Sequence, residues 1–350
     1  MFDDVPHARE ALAAHFDPPR LERVVSALVP AIVFAPVPGA AVLGGSRIGG
    51  APDMGPGAEW PRPAAAEDPE AIAKRGSPDA GKEMLEHFAR NLPYAFFAQV
   101  DLGEAARLGP VASALPSEGR LLFFYDVSIG PWDTGSRVAR VIWDKTPADQ
   151  LARLAPPADL KEAADADRAE RVKLAQEFDD DVEAARKGGS AYDAPGRPMR
   201  LQTTLRLPSV ASIEVSALPE IFEAARSVTG GENEALEAYE AAIEENHDGY
   251  TDEKWRRQQL LGAPQPEQDD PRYDAVVVTT FGKQHLEREE WRSRRAEIEA
   301  AARDWTLLLQ ADVGDWMQAR FTEGTVFFVI RKDDLAARRF DRVVAVYQQT

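Results

Sequence analysis

The sequence predicts an α+β protein: an internal duplication of antiparallel sheet units, packed into one body with peripheral helices. Three observations lead there. Short apolar and aromatic runs bounded by turn residues recur along the chain and read as strands. Longer charged segments with apolar residues at helical spacing lie between them. The chain also repeats itself. GAP at 50–52, FAQVDLG at 97–103 and EGRLLFF at 118–124 return in the same order as GAP at 262–264, LLQADVG at 308–314 and EGTVFF at 323–328. The spacing from Pro52 to Gln99 matches that from Pro264 to Gln310 to within one residue. Three collinear matches indicate a duplicated unit.

In chain order, residues 7–29 read as one or two amphipathic helices interrupted near Pro18–Pro19, and Ala31–Ala35 as a buried strand. A Gly/Pro stretch, GGSRIGGAPDMGPGAEWPRP at 44–63, then runs into a polar region. Lys82–Arg90 is helical; Tyr94–Val100, Arg120–Tyr125 and Arg137–Trp143 are strands. Thr146-Pro147 reads as a helix start, a Thr cap with Pro at the first helical position. Residues 157–187 form one long helix whose apolar stripe is Val172, Ala175, Phe178, Val182 and Ala185, ended by Gly188-Gly189. Met199–Leu207 is a strand, followed by helices near 217–228 and 232–246. The β-branched run Asp274–Thr280 reads as a strand. A charged helix covers 285–303, Trp305–Ala311 and Thr325–Ile330 are strands, Asp333–Arg338 is a short helix, and Arg342–Tyr347 is the last strand. The expected organisation is a helical segment at 1–30 and one domain over 31–350, with halves at about 31–144 and 199–350 and a helical insertion at about 145–198.

Composition excludes several classes of function. The 350 residues include 44% hydrophobic ones, enough for a sizeable core. The net charge of −18 argues against nucleic acid and against anionic membrane surfaces, which are bound through Lys and Arg. With no cysteine, disulfides, thiolate nucleophiles and Cys-based metal sites are excluded. The five histidines, His7, His15, His87, His247 and His285, have no spacing that suggests a metal site, and His87, His247 and His285 read as surface or capping residues. Neither G-x-S-x-G nor H-E-x-x-H occurs. Residues 27–45 carry no charge, but Pro30, Pro36 and Pro38 rule out a spanning helix. The acidic N-terminus does not read as a secretory signal, so a cytoplasmic protein is expected.

Certain motifs resemble a known family. They are S-R-I-G-G-A-P-D followed by E-W-P, then A-Q-V-D-L, then L-P-x-x-G-x-L-x-F-F-Y-D. In the second half they are L-L-G-A-P-Q-P-E-Q, L-L-L-Q-A-D and G-x-V-F-F-V-I with D-D-L. Together they resemble the YwqG-like family, also called DUF1963, from about residue 43 to 348, with a break at 145–200. The resemblance implies an α+β fold with antiparallel sheets and carries no established activity. Where the family usually has a His before L-L-G-x-P, this chain has Gln258 and Gln259, and an amide can fill a hydrogen-bonding position there.

The candidate site residues come from these motifs: Asp53, Glu59, Trp60, Gln99, Asp101, Gln268, Gln310 and Asp312. The 44–63 stretch lacks a P-loop or dinucleotide pattern, and its prolines prevent a helix from starting directly after Gly50. It reads as a structural loop on which Trp60 packs. Asp101 and Asp312 occupy equivalent places in the repeat. Brought together, they offer oxygen ligands to a divalent cation or share a proton; kept apart, each Q-x-D ties off a strand end.

Two functions are expected from different classes. The first is a non-enzymatic binding protein, possible in an immunity-type or toxin-neutralising role by analogy. It would need no cofactor and would engage another, basic protein through acidic runs such as Asp179–Asp181 or through the cleft between the repeats. The alternative is a small-molecule or divalent-metal-dependent site at the repeat interface built on Asp101 and Asp312.

Overall fold

The strands fall in two series around a long central pair. The first series is β1 (Val29–Pro36), β2 (Arg47–Ile48), β3 (Asp53–Met54), β4 (Ala95–Asp101), β5 (Arg120–Tyr125), β6 (Ala139–Asp144) and β7 (Ala152–Arg153). The second is β8 (Arg197–Arg206), β9 (Gln259–Leu260), β10 (Trp305–Asp312), β11 (Thr325–Arg331) and β12 (Val344–Gln348). The computed structural model describes residues 1–227, 233–246, 254–319 and 323–349.

One ten-stranded sheet has the order β12-β11-β10-β9-β1-β8-β2-β4-β5-β6, and its pairings are antiparallel. At its centre β1 pairs with β8 along its whole length, from Val29 opposite Arg206 to Pro36 opposite Met199. On either flank a two-residue strand bridges to a long one: β2 sets Arg47 opposite Gln99, and β9 sets Gln259 opposite Gln310. The outer edges nearly meet. Gly135, just before β6, exchanges two backbone hydrogen bonds of 3.1 and 3.0 Å with Ala345 of β12. The sheet thus comes close to closing on itself, which removes most of its exposed edge.

Inside lies one apolar core with side chains from both halves. Phe97 stacks on Trp316 with ring centroids 4.1 Å apart, and Phe123 meets Phe328 edge-on at 5.4 Å. The alternate residues are covered from outside. Phe96 and Phe124 pack under Trp60 and Leu160, and Phe327 packs against Tyr273, Ile298 and Trp305. Burial on both faces explains why these strands are continuous apolar runs rather than alternating ones. A separate cluster built on Phe2, Leu12, Val24, Ile221 and Tyr239 holds the N-terminal helices Val5–Leu12 and Pro18–Ser26 against Pro219–Ala225 and Glu234–Asn246.

Several helices open on the same device, an Asp or Ser cap followed by Pro. Asp17, Asp68, Ser77 and Asp270 each accept a backbone N–H of the first turn, with Pro18, Pro69, Pro78 and Pro271 at the first helical position. This device overturns one expectation. Asp274–Thr280 is not a strand: the chain is helical over Pro271–Val276 and continues as a wide turn over Val277–Phe281. The buried Asp270 carboxylate fixes that start, accepting from the N–H of Arg272 at 3.0 Å and of Ile213 at 2.8 Å. A strong cap outweighs the β-preference of Val and Thr.

Thr146-Pro147 starts no such helix. The Thr146 hydroxyl donates to Asp144 at 3.1 Å and caps nothing, and only a short 3₁₀ turn, Ala148–Gln150, follows. The expected 157–187 helix is two helices, Ala158–Glu177 and Val182–Lys187. Asp179 between them has φ +53, and Asp181 caps the second by accepting from Ala184 N–H at 2.9 Å. The expected stripe is corrected as well. Phe178 is 74% exposed; Ala175 is buried as expected, and the first helix buries Leu160, Ala163 and Ala164 beside it.

Candidate functional site

The two Q-x-D elements are structural clips of the same design. Gln99 accepts from the N–H of Asp53 at 2.8 Å and donates to the carbonyl of Gly45 at 2.9 Å. Gln310 accepts from the N–H of Gln265 at 2.9 Å and donates to the carbonyl of Arg257 at 3.0 Å. In both cases a buried amide joins the residue after G-A-P to the carbonyl two residues before the short flanking strand. The aspartates that follow are spent locally. Asp101 accepts from Gly103 N–H at 2.9 Å, and Asp312 accepts from Asp315 N–H at 2.7 Å and from Arg257 at 3.0 Å. No bond joins Asp101 to Asp312. Among the described residues, no group of three or more His, Asp or Glu side chains is placed to hold a metal ion.

Gln258, near the place of the family's usual His, donates to the carbonyl of Asp312 at 3.1 Å and to the Asp315 carboxylate at 2.9 Å. Gln268 is exposed and donates to the Gln349 carbonyl at 2.8 Å, and Glu59 is exposed.

The first-half signature loop, by contrast, walls a cavity. Gly49 and Gly50 have φ +67 and +76, and each lies against the chain at 194–196. A Cβ on Gly49 would come within 2.5 Å of the Pro195 carbonyl oxygen. Their function is close backbone approach. Trp60 is anchored by its indole N–H on the Tyr94 carbonyl at 2.8 Å and meets Phe96 and Phe124 edge-on. Behind them Asp53, fully buried, is the hub. It accepts from Gly44 N–H at 2.7 Å, Gln99 Nε2 at 3.2 Å, Arg153 Nε at 3.0 Å, and Arg47 Nη2. Burial alone would push the Asp53 carboxyl up, but the bonds from Arg153, Gly44 and Arg47 hold it below the ordinary carboxylate range. Arg47 is lowered too, but by burial, which the attraction of Asp53 only partly offsets.

The cavity has a volume of about 490 Å³ and lies between this loop and helix Ala158–Glu177. Arg47, Trp60, Arg153, Leu160, Lys161 and Tyr192 are in its walls. Of the sequence candidates it takes Trp60 directly, with Asp53 and Gln99 behind. Arg47 stands inside the quoted motif, but the sequence did not mark it out as a candidate. Arg153 and Tyr192 lie within 145–198, where no motif pointed to them.

A second cavity of about 440 Å³ shares the Tyr192 wall and is lined by Glu83, His87, Arg90, Ser128 and Trp132. His87 is not a surface or capping residue. It is buried, with Nε2 3.2 Å from Asp126 and its ring stacked on Tyr192 at 5.9 Å. Burial raises the Tyr192 hydroxyl. Of the other histidines, His247 lies outside the described residues.

No helix of the described chain is long and apolar enough to cross a membrane. No curated protein matches the chain. A family model described as a domain of unknown function, DUF1963, matches residues 46–348, a span that holds both clips and the signature loop, and the chain belongs to that family.

Proposed function

We propose that this is a cytoplasmic, non-enzymatic binding protein, built from two related halves, that holds a small molecule in the cavity beneath helix Ala158–Glu177. The observation that carries the reading is the cavity itself. Its volume of about 490 Å³ falls in the range typical of small-molecule sites, and its walls mix aromatic and aliphatic surface with a few charged groups. The related halves are supported by the matching clips at Gln99 and Gln310 and by the palindromic placing of β2-β4-β5-β6 and β9-β10-β11-β12 about the central pair. Native mass spectrometry on protein gently purified from its own host tests the proposal. A retained small molecule that is lost in Ala164→Trp, which fills the cavity wall, supports it. A ligand retained equally by that variant places the site elsewhere.

A second reading has one feature in its favour. The acidic turn Asp179–Asp181 adjoins the exposed side chains Leu174 and Phe178 in a chain of net charge −18, which suits a basic protein partner, including an immunity-type or toxin-neutralising one. A stoichiometric partner in the same spectra, lost when the three aspartates become asparagine, would favour it.

A further inference from the structure

We infer that the ligand of the roofed cavity carries an oxyanion, a carboxylate or a phosphate, held by Arg47 and Arg153. This rests on the reading of the cavity as a small-molecule site and names the chemistry of what enters.

The argument begins with unmet hydrogen-bonding capacity. Arg47 is 1% exposed and stands in the cavity wall. Its Nη2 is used by Asp53, but Nε and Nη1 are buried without a partner. A buried guanidinium with two idle nitrogens is costly, because each was hydrated in the unfolded chain. Asp53 cannot supply the missing acceptors. Its one carboxylate already serves two guanidinium groups, a backbone N–H and an amide.

Charge points the same way. The other carboxylates in the wall are already engaged. Asp193 takes both oxygens to Arg168 at 2.7 Å, and Asp165 pairs with Arg168 at 3.2 Å and Lys161 at 3.4 Å. With Asp53 and Arg168, which stand behind the wall, three carboxylates are set against four cations, Arg47, Arg153, Lys161 and Arg168. One positive charge is left over at the only place where Asp53 is shared between two arginines. A local excess of positive charge inside a chain of net charge −18 fits an anion of the opposite sign. Arg153 is 43% exposed, stands in the same wall and reaches the same carboxylate, so an anion beside the two would give Arg47 the acceptor it lacks. Trp60, Leu160 and Ala164 leave room beside it for a compact apolar body.

Titration calorimetry with three probes of one shape decides the matter: benzoate, phenyl phosphate and neutral benzamide. The expected result is that at least one anion binds ten- to a hundredfold more tightly than benzamide, the usual worth of a charge-assisted hydrogen bond. Preference between the two anions tells carboxylate from phosphate. Arg153→Gln, at a half-exposed position, should fold normally and lose about tenfold in anion affinity while leaving benzamide unaffected; Arg47→Met should lose more. If benzamide binds as well as either anion, or Arg153→Gln leaves anion affinity unchanged, the oxyanion inference is overturned while the cavity reading stands. If none of the three binds and protein from the host retains nothing, both fall.

Discussion

The glutamine clips allow a quantitative test of how the two flanks of the sheet are held. Replacing Gln99 by Leu keeps most of the volume and removes both polar ends. The buried N–H of Asp53 and the half-buried carbonyl of Gly45 then lose their partners. An orphaned buried group costs about 1–3 kcal/mol, and some relaxation is available to the loop, so the variant should lose roughly 2–4 kcal/mol. Gln310→Leu strands the N–H of Gln265 and the carbonyl of Arg257, the same kinds of group, and should lose a similar amount. The strands that carry them, β4 and β10, are separated in the sheet by β2, β8, β1 and β9. The double variant should therefore be additive to within about 0.5 kcal/mol. Urea unfolding followed by tryptophan fluorescence measures all three. If either single variant lay within about 0.5 kcal/mol of wild type, the clips would not be the structural equivalents that the geometry makes them, and the reasoning would fail at that half.

Other consequences can be checked in the same assay. Gly49→Ala combines a left-handed φ of +67 with a Cβ pressed to 2.5 Å from the Pro195 carbonyl, and should cost about 2 kcal/mol or more. Phe178→Ser should change stability by less than about 0.5 kcal/mol, because the ring is exposed; a larger loss would mean the turn is packed in solution. Burial, with Asp269 and Asp270 adding to it, pushes the Asp274 carboxyl up to about 7. A raised folded-state value favours the fold while the group is protonated in both states, below the unfolded value of ~3.9. That stability is lost as pH rises from there through about 7. Asp274→Asn should therefore be more stable than wild type at pH 8, by about 2–4 kcal/mol, with the gap closing towards pH 4; a constant gap would refute the assignment. Arg272 holds the buried Asp270 at 2.8 and 2.6 Å and Glu214 at 2.6 Å. Arg272→Met should cost about 3–5 kcal/mol, because it leaves the Asp270 carboxylate buried without its cation.

What could be read from the sequence follows from how local each signal is. Arg120–Tyr125 was legible to the residue because it is buried on both faces and bounded by Gly119 and Asp126, so run length and punctuation sufficed. Asp274–Thr280 was not, because its state is set by the cap at Asp270-Pro271, which in turn depends on a bond to Ile213 from another part of the chain. The break at 178–181 escaped notice because Phe178 falls at helical spacing whether or not its ring faces the body. In the site, Trp60, Asp53 and Gln99 stood out by motif. Arg47 and Arg153 did not, since an arginine looks solvent-exposed until the fold places one carboxylate between two of them. His87 is the same case: only the approach of Asp126 and Tyr192 shows that it is buried.

The position of β1 affects the chain before the protein is finished. Its two sheet neighbours, β8 and β9, are encoded far downstream, and neither exists when the ribosome releases Val29–Pro36. At about 5–20 residues per second, the wait for β8 alone is on the order of ten seconds. Throughout that interval Ala31–Ala35, one of the most apolar segments of the chain, has neither of its neighbouring strands to pair with. Folding that depends on such distant pairings is slow, and a nascent strand of this kind is what chaperones bind and what aggregation recruits. Yield in the cell should thus depend on protection of the first forty residues during synthesis, even where the finished fold is stable.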